Sequence, residues 1–159
     1  MDIAWPTLIR VRERHRHAAQ QAVAQERRLA AACEAQLAAA DARWQQELAL
    51  RTALWQRLRE SQDGAVNVAQ LLQASVWSRT LDLRIARAAE TVAEARRSLV
   101  QQQQRVDTSR QRLRQAASEL DKAERMQERQ LADQRRQAEL RRDDASEESA
   151  TQGWLQRGR

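Results

Sequence analysis

A seven-residue repeat of large apolar side chains runs through the second half of this chain without a break. Its members stand seven positions apart, six in succession: Ile85, Val92, Leu99, Val106, Leu113 and Leu120. Three positions after each comes a small or polar residue: Ala88, Ala95, Gln102, Ser109, Ala116 and Ala123. This spacing places both sets on one face of an α-helix, where they form the seam of a coiled coil and let a partner helix approach closely. The repeat therefore predicts a long helix that packs lengthwise against another helix.

A second apolar stripe lies earlier in the chain and supplies that partner. Its members are three or four positions apart: Leu29, Cys33, Leu37, Ala40, Trp44, Leu48, Arg51, Trp55 and Leu58. A weaker continuation reaches toward the N-terminus through Leu8, Val11, His15, Ala19 and Ala22. Because the first turn of a helix needs no N–H donor at Pro6, the pattern predicts a first helix over about residues 7–60.

A short segment around Gly64 separates the two striped regions. Gly64 is the one glycine between Pro6 and Gly153, and glycine commonly ends a helix in the left-handed cap position. Asn67 then suits the N-cap of the following helix. The seven-residue repeat loses its apolar residues at Gln127, about where the first helix runs out of length if the chain reverses at the glycine. The segment therefore predicts a chain reversal.

These features predict an all-α fold in which two long helices form an antiparallel coiled-coil hairpin, the C-terminal helix being the longer. The predicted single domain, residues 1–159, has a first helix at about 7–60, a turn at about 61–66, a second helix at about 67–145 and a frayed tail at 146–159. In the predicted register the numbers of facing residues sum to about 126–128, so Trp55 faces Leu71 and Leu29 faces Leu99.

The composition indicates no catalytic chemistry. His15 and His17 stand on different helix faces, and Cys33, the only cysteine, can form no internal disulfide. A glycine-rich phosphate loop is absent. We therefore expect a non-enzymatic protein with no catalytic residue, metal site, cofactor or small-molecule substrate, and a packed thiol at Cys33. The sequence has no recognisable secretory leader and no apolar run of membrane-spanning length, which predicts a cytoplasmic protein without direct membrane insertion.

Tryptophans gather on either side of Gly64. Trp44 and Trp55 share the stripe of the first helix, so they either clamp the seam near the turn or belong to a docking surface. Trp77 stands one position off the seam, where partial exposure favours a docking role. Its apolar neighbours are Leu71, Leu72 and Val76.

Arginines give the chain a net charge of +6 and gather in two other places. The first group lies near the N-terminus: Arg10, Arg12, Arg14, Arg16, Arg27 and Arg28. The second stands beyond the predicted seam: Arg135, Arg136, Arg141 and Arg142. Acidic residues nearly balance the second group, whereas nucleic-acid binding needs a continuous basic face. Nucleic acid is therefore a disfavoured partner.

The chain resembles the FliJ/YscO/HrpO family, the central-stalk proteins of bacterial type III secretion and flagellar export. The resemblance rests on size, the predicted antiparallel hairpin with its longer C-terminal helix, and a high content of Ala, Gln, Arg and Glu, over roughly residues 5–145. It implies a non-enzymatic stalk or adaptor that links the hexameric export ATPase to the export gate and promotes protein export, with a role in virulence where the apparatus is an injectisome.

The resemblance also implies which residues make these contacts. In the family, the coiled coil of the two chain ends enters the ATPase ring, which implies ATPase contacts at Arg10, Arg12, Arg14, Arg135, Arg136, Arg141 and Arg142. The other end of the hairpin contacts the cytoplasmic domain of the export gate, which implies contacts at Trp44, Leu48, Trp55, Leu71 and Trp77. Export chaperones are further candidate partners, and the implied location is the cytoplasm, peripheral to the inner-membrane apparatus.

Two alternatives remain open on the residues alone. The chain could be a generic scaffolding coiled coil that self-associates through its C-terminal overhang. It could also be a basic coiled coil that binds duplex DNA with an affinity that falls steeply as salt rises.

Overall fold

The computed structural model describes residues 4–61 and 67–158, and in these ranges the chain forms two α-helices and no strand. Helix α1 spans Trp5–Ser61 and helix α2 spans Val68–Arg157. The two helices pack against each other in antiparallel orientation. This confirms the predicted all-α hairpin with the longer C-terminal helix.

Local hydrogen bonds define where both helices begin. The backbone oxygen of Ala4 accepts from the N–H groups of Thr7 and Leu8, with Pro6 in the first turn. At the start of α2, the side-chain oxygen of Asn67 accepts from the N–H of Ala69 at 3.3 Å. This N-cap satisfies one of the four N–H groups that a helix start leaves without partners, as predicted. The predicted glycine cap at Gly64 and most of the predicted turn lie outside the described residues.

The C-terminal end of α2 differs from the prediction. Residues 146–157 are helical up to Arg157, where a frayed tail was predicted from residue 146. Side chains bond back to the preceding turn in this segment: the Thr151 hydroxyl donates to the oxygen of Glu147 at 2.8 Å, and Arg157 Nε to that of Gly153 at 3.3 Å. The segment has no proline, and Arg157 in the last turn complements the helix dipole.

The chain divides into two compact units, each containing part of both helices. We call the first the terminal unit; it joins α1 up to Gln20 with α2 from Arg112 onward. We call the second the middle unit; it comprises Gln21–Gln111.

In the middle unit, the predicted seam of α2 is the buried face. None of its members is exposed, and Leu81, one repeat upstream of Ala88, is fully buried at 0% exposure. Val92, Gln102, Val106 and Ser109 are also buried. The large-and-small alternation predicted from the seven-residue spacing therefore describes the packing of α2 correctly.

The face that α1 presents in the middle unit is more regular than predicted. Its central residues follow one another at steps of three and four: Val23, Glu26, Ala30, Cys33, Leu37, Ala40, Trp44, Glu47, Arg51, Leu54 and Leu58. Asp41, Leu48 and Ala53 beside them are also half-buried. Leu29 and Trp55, both predicted in the stripe, are instead 45% and 49% exposed. This face includes Arg51, which the predicted stripe already contained, and Glu26 and Glu47, which apolar pattern alone disfavours. Each of the three pairs with a polar group on α2, although the second carboxylate oxygen of Glu47 is buried without a hydrogen-bond partner among the described residues.

In the terminal unit, Leu120 and Ala123 of the predicted seam are buried, and Leu113 and Ala116 are half-buried. Partial burial continues through Gln127 to Gln130, because Trp5 at the start of α1 lies against this part of α2. The weak stripe predicted on α1 is only partly correct. Leu8 and Ala19 are half-buried, whereas Val11, His15 and Ala22 are exposed.

The ion pairs between the helices depart from the predicted register. Arg12 contacts Glu119, and Glu47 contacts Arg84. If the numbers of facing residues summed to 126–128 as predicted, Arg12 would face residues 114–116 and Glu47 would face residues 79–81. Each observed partner thus lies three to five residues further along α2, about one helical turn.

One contact in the middle unit keeps to the predicted register. Gln102 contacts Glu26, and the numbers of these two residues sum to 128. The two interhelical ion pairs of the same unit do not, because the numbers of Glu47 and Arg84 sum to 131 and those of Arg51 and Asp82 to 133. These pairs place the helices about one turn or more away from the predicted register. Apolar spacing could not reveal which polar residues would meet.

Candidate interaction surfaces

Two open grooves of the middle unit lie beside Trp77 and Trp55, one on each flank of the packed seam. The first, called the Trp77 groove, has a volume of about 680 Å³. Its lining combines both helices: Leu54, Arg57, Gln70, Leu72, Gln73, Ala74, Val76 and Trp77. The second, called the Trp55 groove, has a volume of about 230 Å³ and is lined by Trp55, Leu58, Leu71, Ala74, Ser75, Ser78 and Arg79.

The helical period explains why these grooves flank the seam. Trp77 and Leu71 lie six residues apart on α2, which places them about 120° apart around the helix. Ala74 and Ser78, between them in angle, are half-buried against α1. Trp55, Leu71 and Trp77 are 49%, 46% and 46% exposed. Three of the five predicted export-gate residues therefore present apolar surface to solvent on both flanks.

The other two predicted export-gate residues are less accessible. Trp44 is half-buried against α2, in a groove of about 300 Å³ lined by Ala89, Val92, Ala93 and Arg96. Its indole Nε1 is buried and has no hydrogen-bond partner among the described residues. Leu48 is also half-buried. Of the two roles considered for Trp44, the geometry favours packing against the seam.

Further exposed apolar side chains on α2 escaped the sequence reasoning. Val68 and Leu83 are 69% and 62% exposed, on the same face as Leu72 and Val76, which are 65% and 66% exposed. The sequence does indicate this surface, because apolar residues 68, 72 and 76 recur every four positions on a face away from the seven-residue repeat. The predicted docking surface was centred on the nearby tryptophans and did not include Val68 or Leu83. This stripe extends the apolar surface of the Trp77 groove.

The seven arginines predicted to contact the ATPase all belong to the terminal unit. Arg12 forms an ion pair with Glu119, with 33% and 35% of the two side chains exposed. Arg10 and Arg14 are exposed, as are the four arginines between residues 135 and 142. Since Arg12 lies at the level of Glu119, sixteen residues before Arg135, the two arginine groups are about 24 Å apart along α2. The structure therefore presents two basic regions rather than one.

The last part of α2 presents nearly all its side chains to solvent. From residue 131 to residue 158 every residue except Gly153 is exposed. A basic run at 135–142, RRQAELRR, is followed at once by an acidic run at 143–148, DDASEE. Within the described ranges, the four arginines of the basic run form no ion pair. Their guanidinium groups are available to an outside partner.

Another groove, called the Trp5 groove, lies in the terminal unit. It has a volume of about 580 Å³ and is lined by Trp5, Met126, Arg129, Gln130, Asp133, Gln134 and Gln137. The indole N–H of Trp5 donates to the side-chain oxygen of Gln130. Trp5 was not predicted to be a surface residue, although the sequence places this aromatic side chain directly before Pro6, at the start of the first helix. Its lining thus combines the aromatic ring of Trp5 and the thioether of Met126 with the charged side chains of Arg129 and Asp133.

Three further findings bear on function. In the part of the chain that the structure describes, no three His, Cys, Asp or Glu side chains gather in a metal-binding arrangement. Neither described helix has a stretch apolar enough to span a lipid bilayer. Comparison with known proteins gives no match to any family model, curated protein or solved structure.

Proposed function

We propose that this protein is a non-enzymatic stalk or adaptor of a bacterial type III protein secretion apparatus. In this proposal the terminal unit binds the hexameric export ATPase and the middle unit binds the cytoplasmic domain of the export gate. Two observations carry the proposal. The terminal unit presents four exposed arginines within eight residues, at 135–142, without ion pairs to the described residues, and the middle unit presents half-exposed Trp55 and Trp77 beside apolar grooves.

The arginine surface supports binding inside a ring of repeated subunits. Exposed guanidinium groups from residue 135 to residue 142 can form hydrogen bonds with carboxylates on each subunit in turn. Exposed ion pairs contribute little individually, typically below about 1 kcal/mol, and are screened by salt. Such contacts permit a helix to change neighbours without a large barrier. That behaviour suits a stalk in a machine whose subunits change conformation during ATP hydrolysis.

The tryptophan surface supports a more specific contact. Half-exposed Trp55 and Trp77 flank grooves that together expose apolar side chains from both helices. Aromatic residues at the centre of a desolvated contact commonly dominate binding energy. Arg57 and Arg79 border these grooves and favour a partner that carries carboxylates around an apolar centre. The cytoplasmic domain of the export gate is the partner proposed for this surface.

The proposed mechanism needs no chemistry from this chain. In this proposal, the helices that run through both units carry a movement or force from one contact to the other. The chain would then couple ATP hydrolysis to the export gate and promote protein export. The proposed location is the cytoplasm, peripheral to the inner membrane, and export chaperones are proposed as additional partners.

The test measures ATP hydrolysis by the purified type III secretion ATPase of the same organism, with and without this protein, at low and moderate salt. We expect stimulation that falls as salt rises. A variant with Arg135, Arg136, Arg141 and Arg142 all replaced by Gln should lose the stimulation. The matched control replaces four exposed arginines of the middle unit by Gln: Arg43, Arg87, Arg97 and Arg105.

The control variant should stimulate the ATPase as the natural sequence does, because its terminal unit is unchanged. Absence of both stimulation and co-elution with the ATPase would refute the proposal. Equal loss of stimulation in the two variants would show that total charge matters and that the terminal arginines have no special role. Binding to the isolated cytoplasmic domain of the gate, measured with Trp77→Ala, tests the second contact separately.

A further inference from the structure

One face of the exposed end of α2 carries apolar side chains at a regular spacing. Met126, Leu140 and Trp154 stand fourteen residues apart, which is two seven-residue repeats and returns to nearly the same helix face. They are 47%, 57% and 74% exposed. Leu155 beside Trp154 is also 57% exposed. Helix α1 begins at Trp5, whose contact on α2 is Gln130, so α1 does not cover this face beyond that level.

We propose that a second copy of this chain covers this face. The two copies of α2 would lie antiparallel, related by a two-fold axis at Leu140. The side chain of Leu140 then packs against its own counterpart. Because Met126 and Trp154 are equally far from Leu140, each Met126 lies opposite Trp154 of the other copy.

The charges on this face select the antiparallel arrangement. Arg136 lies four residues before Leu140 and Asp144 four residues after it, so all three share a face of the helix. The two-fold axis places Arg136 of each copy opposite Asp144 of the other, giving two attractive pairs. A parallel pair would instead place Arg136 against Arg136 and Asp144 against Asp144. Charge complementarity thus identifies both the partner and its direction.

The Trp5 groove supplies a seat for the incoming tryptophan. Met126 forms part of its lining, and it is Met126 that the axis places opposite Trp154 of the other copy. A groove of about 580 Å³ has room for an indole ring between Trp5 and Met126. Aromatic pairs and contacts of methionine sulfur with a ring each favour such a seat beyond simple burial. Trp154, otherwise 74% exposed near the end of the helix, thereby gains a packed environment.

Two pairs of charges oppose the arrangement. Asp133 and Glu147 lie seven residues before and after Leu140, so Asp133 of each copy faces Glu147 of the other across the axis. Arg129 and Arg136 lie one turn from Asp133 on either side and offset part of the repulsion. The interface is narrow and rich in charge, so we expect a reversible dimer that dissociates in the micromolar range and weakens as salt rises.

This inference does not rest on the proposed function, because it concerns only contacts between copies of the same chain. It adds a state in which the segment that holds Arg135, Arg136, Arg141 and Arg142 is already occupied. A chain paired in this way would have to release its partner copy before the segment could enter another assembly.

Sedimentation velocity over a range of protein concentrations, from about 1 to about 200 µM, tests the proposal on the full chain at low salt. The natural sequence should change from monomer to dimer. Arg136→Asp alone or Asp144→Arg alone should weaken dimerisation roughly tenfold, because each places two like-charge pairs across the axis. An equimolar mixture of these two variants should form heterodimers. In the mixed pair, the introduced aspartate faces the introduced arginine, and the natural arginine of one copy faces the natural aspartate of the other.

Two additional variants separate this interface from others. Arg142→Asp makes the same charge change on a part of the helix turned away from Leu140, and should leave dimerisation within about twofold. Trp154→Ala should weaken dimerisation about tenfold or more, because the groove loses its occupant. Far-UV circular dichroism checks that every variant keeps its helix content.

A chain that stays monomeric over the whole range overturns the proposal. So does a dimer that the single charge variants and their mixture leave unchanged, since the copies would then associate through another surface. Equal weakening by Arg136→Asp and Arg142→Asp would likewise contradict the two-fold axis at Leu140, because it would reflect net charge alone.

Discussion

The side-chain amide of Gln102 donates two hydrogen bonds to Glu26, one to the carboxylate and one to the backbone oxygen at 3.1 Å. Gln102 is only 6% exposed and occupies a seam position where its neighbours in the repeat are mostly alanine or serine. A buried polar group at such a position is satisfied in one alignment of the helices and not in alignments one turn away. This contact therefore helps to define the register of the middle unit.

Replacing Gln102 tests that role. Gln102→Ala should lower the free energy of unfolding by about 1–3 kcal/mol, because it removes both hydrogen bonds and leaves the Glu26 groups without them. Urea denaturation followed by circular dichroism measures the change. Gln101→Ala, at the exposed neighbouring position, should change stability by less than about 0.5 kcal/mol. Similar effects of the two substitutions would mean that the Gln102 contact does not stabilise the pairing.

Leu81 and Leu83 provide a matched comparison of buried and exposed leucine. Leu81 is fully buried, whereas Leu83 is 62% exposed on the same helix. Leu81→Ala should destabilise the fold by about 2–5 kcal/mol through lost burial and the cavity left behind. Leu83→Ala should cost less than about 0.5 kcal/mol. Chemical denaturation measures the free energy of unfolding of both variants, which can be compared directly if their m-values are equal. A larger loss of stability from Leu83→Ala would contradict the assignment of Leu81 to the buried face of α2.

The two ion pairs that join the helices in the middle unit should differ in strength. The Arg84–Glu47 pair is short, at 2.7 Å, and the Glu47 side chain is 19% exposed. The Arg51–Asp82 pair is longer, at 3.4 Å, with side chains 41% and 57% exposed. Because a more buried carboxylate loses more when its partner is removed, the coupling energy should be about 1 kcal/mol for the first pair and below about 0.5 kcal/mol for the second.

Double-mutant cycles with Arg→Gln and Glu→Gln or Asp→Asn changes measure both coupling energies. They should be repeated at high salt, where the exposed Arg51–Asp82 pair is expected to lose most of its contribution. Equal coupling energies at both salt concentrations would show that burial of Glu47 has no energetic consequence.

Substitution of Trp44 and of Trp77 should distinguish a tryptophan that packs between the helices from one that lies at the surface. Trp44→Ala should destabilise the fold by about 2–3 kcal/mol, because its indole packs between the helices beside Val92. Trp77→Ala should cost less than about 1 kcal/mol, since the ring is 46% exposed. Thermal and urea unfolding of both variants provides the measurement. A greater loss of stability from Trp77→Ala would assign Trp77 to the core and remove it from the docking surface.

Much of the fold was predictable because it depends on local periodicity. The seven-residue repeat from Ile85 to Leu120 identified the buried face of α2 without error. The cap at Asn67 was also predictable, since it involves an N–H only two residues away. The helical end of α2 was not predicted, because its polar and charged composition at a chain end is also typical of a frayed tail.

The candidate surfaces were predictable only in part. Trp77 was expected to be exposed because it stands off the repeat, and it is. The roles of Trp44 and Trp55 could not be separated, because both fitted the same apolar stripe and only their position against α2 distinguishes them. Arg12 was predicted to be one of the arginines that contact the ATPase, yet it forms an ion pair with Glu119, more than a hundred residues away in sequence.

The sequence by itself determined that two helices form, which face of α2 is buried and that α2 is longer, because each depends on residues within a few turns of one another. Tertiary structure decided the face of α1 and the pairing of its polar side chains. Those depend on how Glu26, Glu47 and Arg51 find polar partners on α2, at sequence separations of 31 to 76 residues. Apolar spacing is nearly unchanged by a displacement of one turn, whereas the satisfaction of buried polar groups is not.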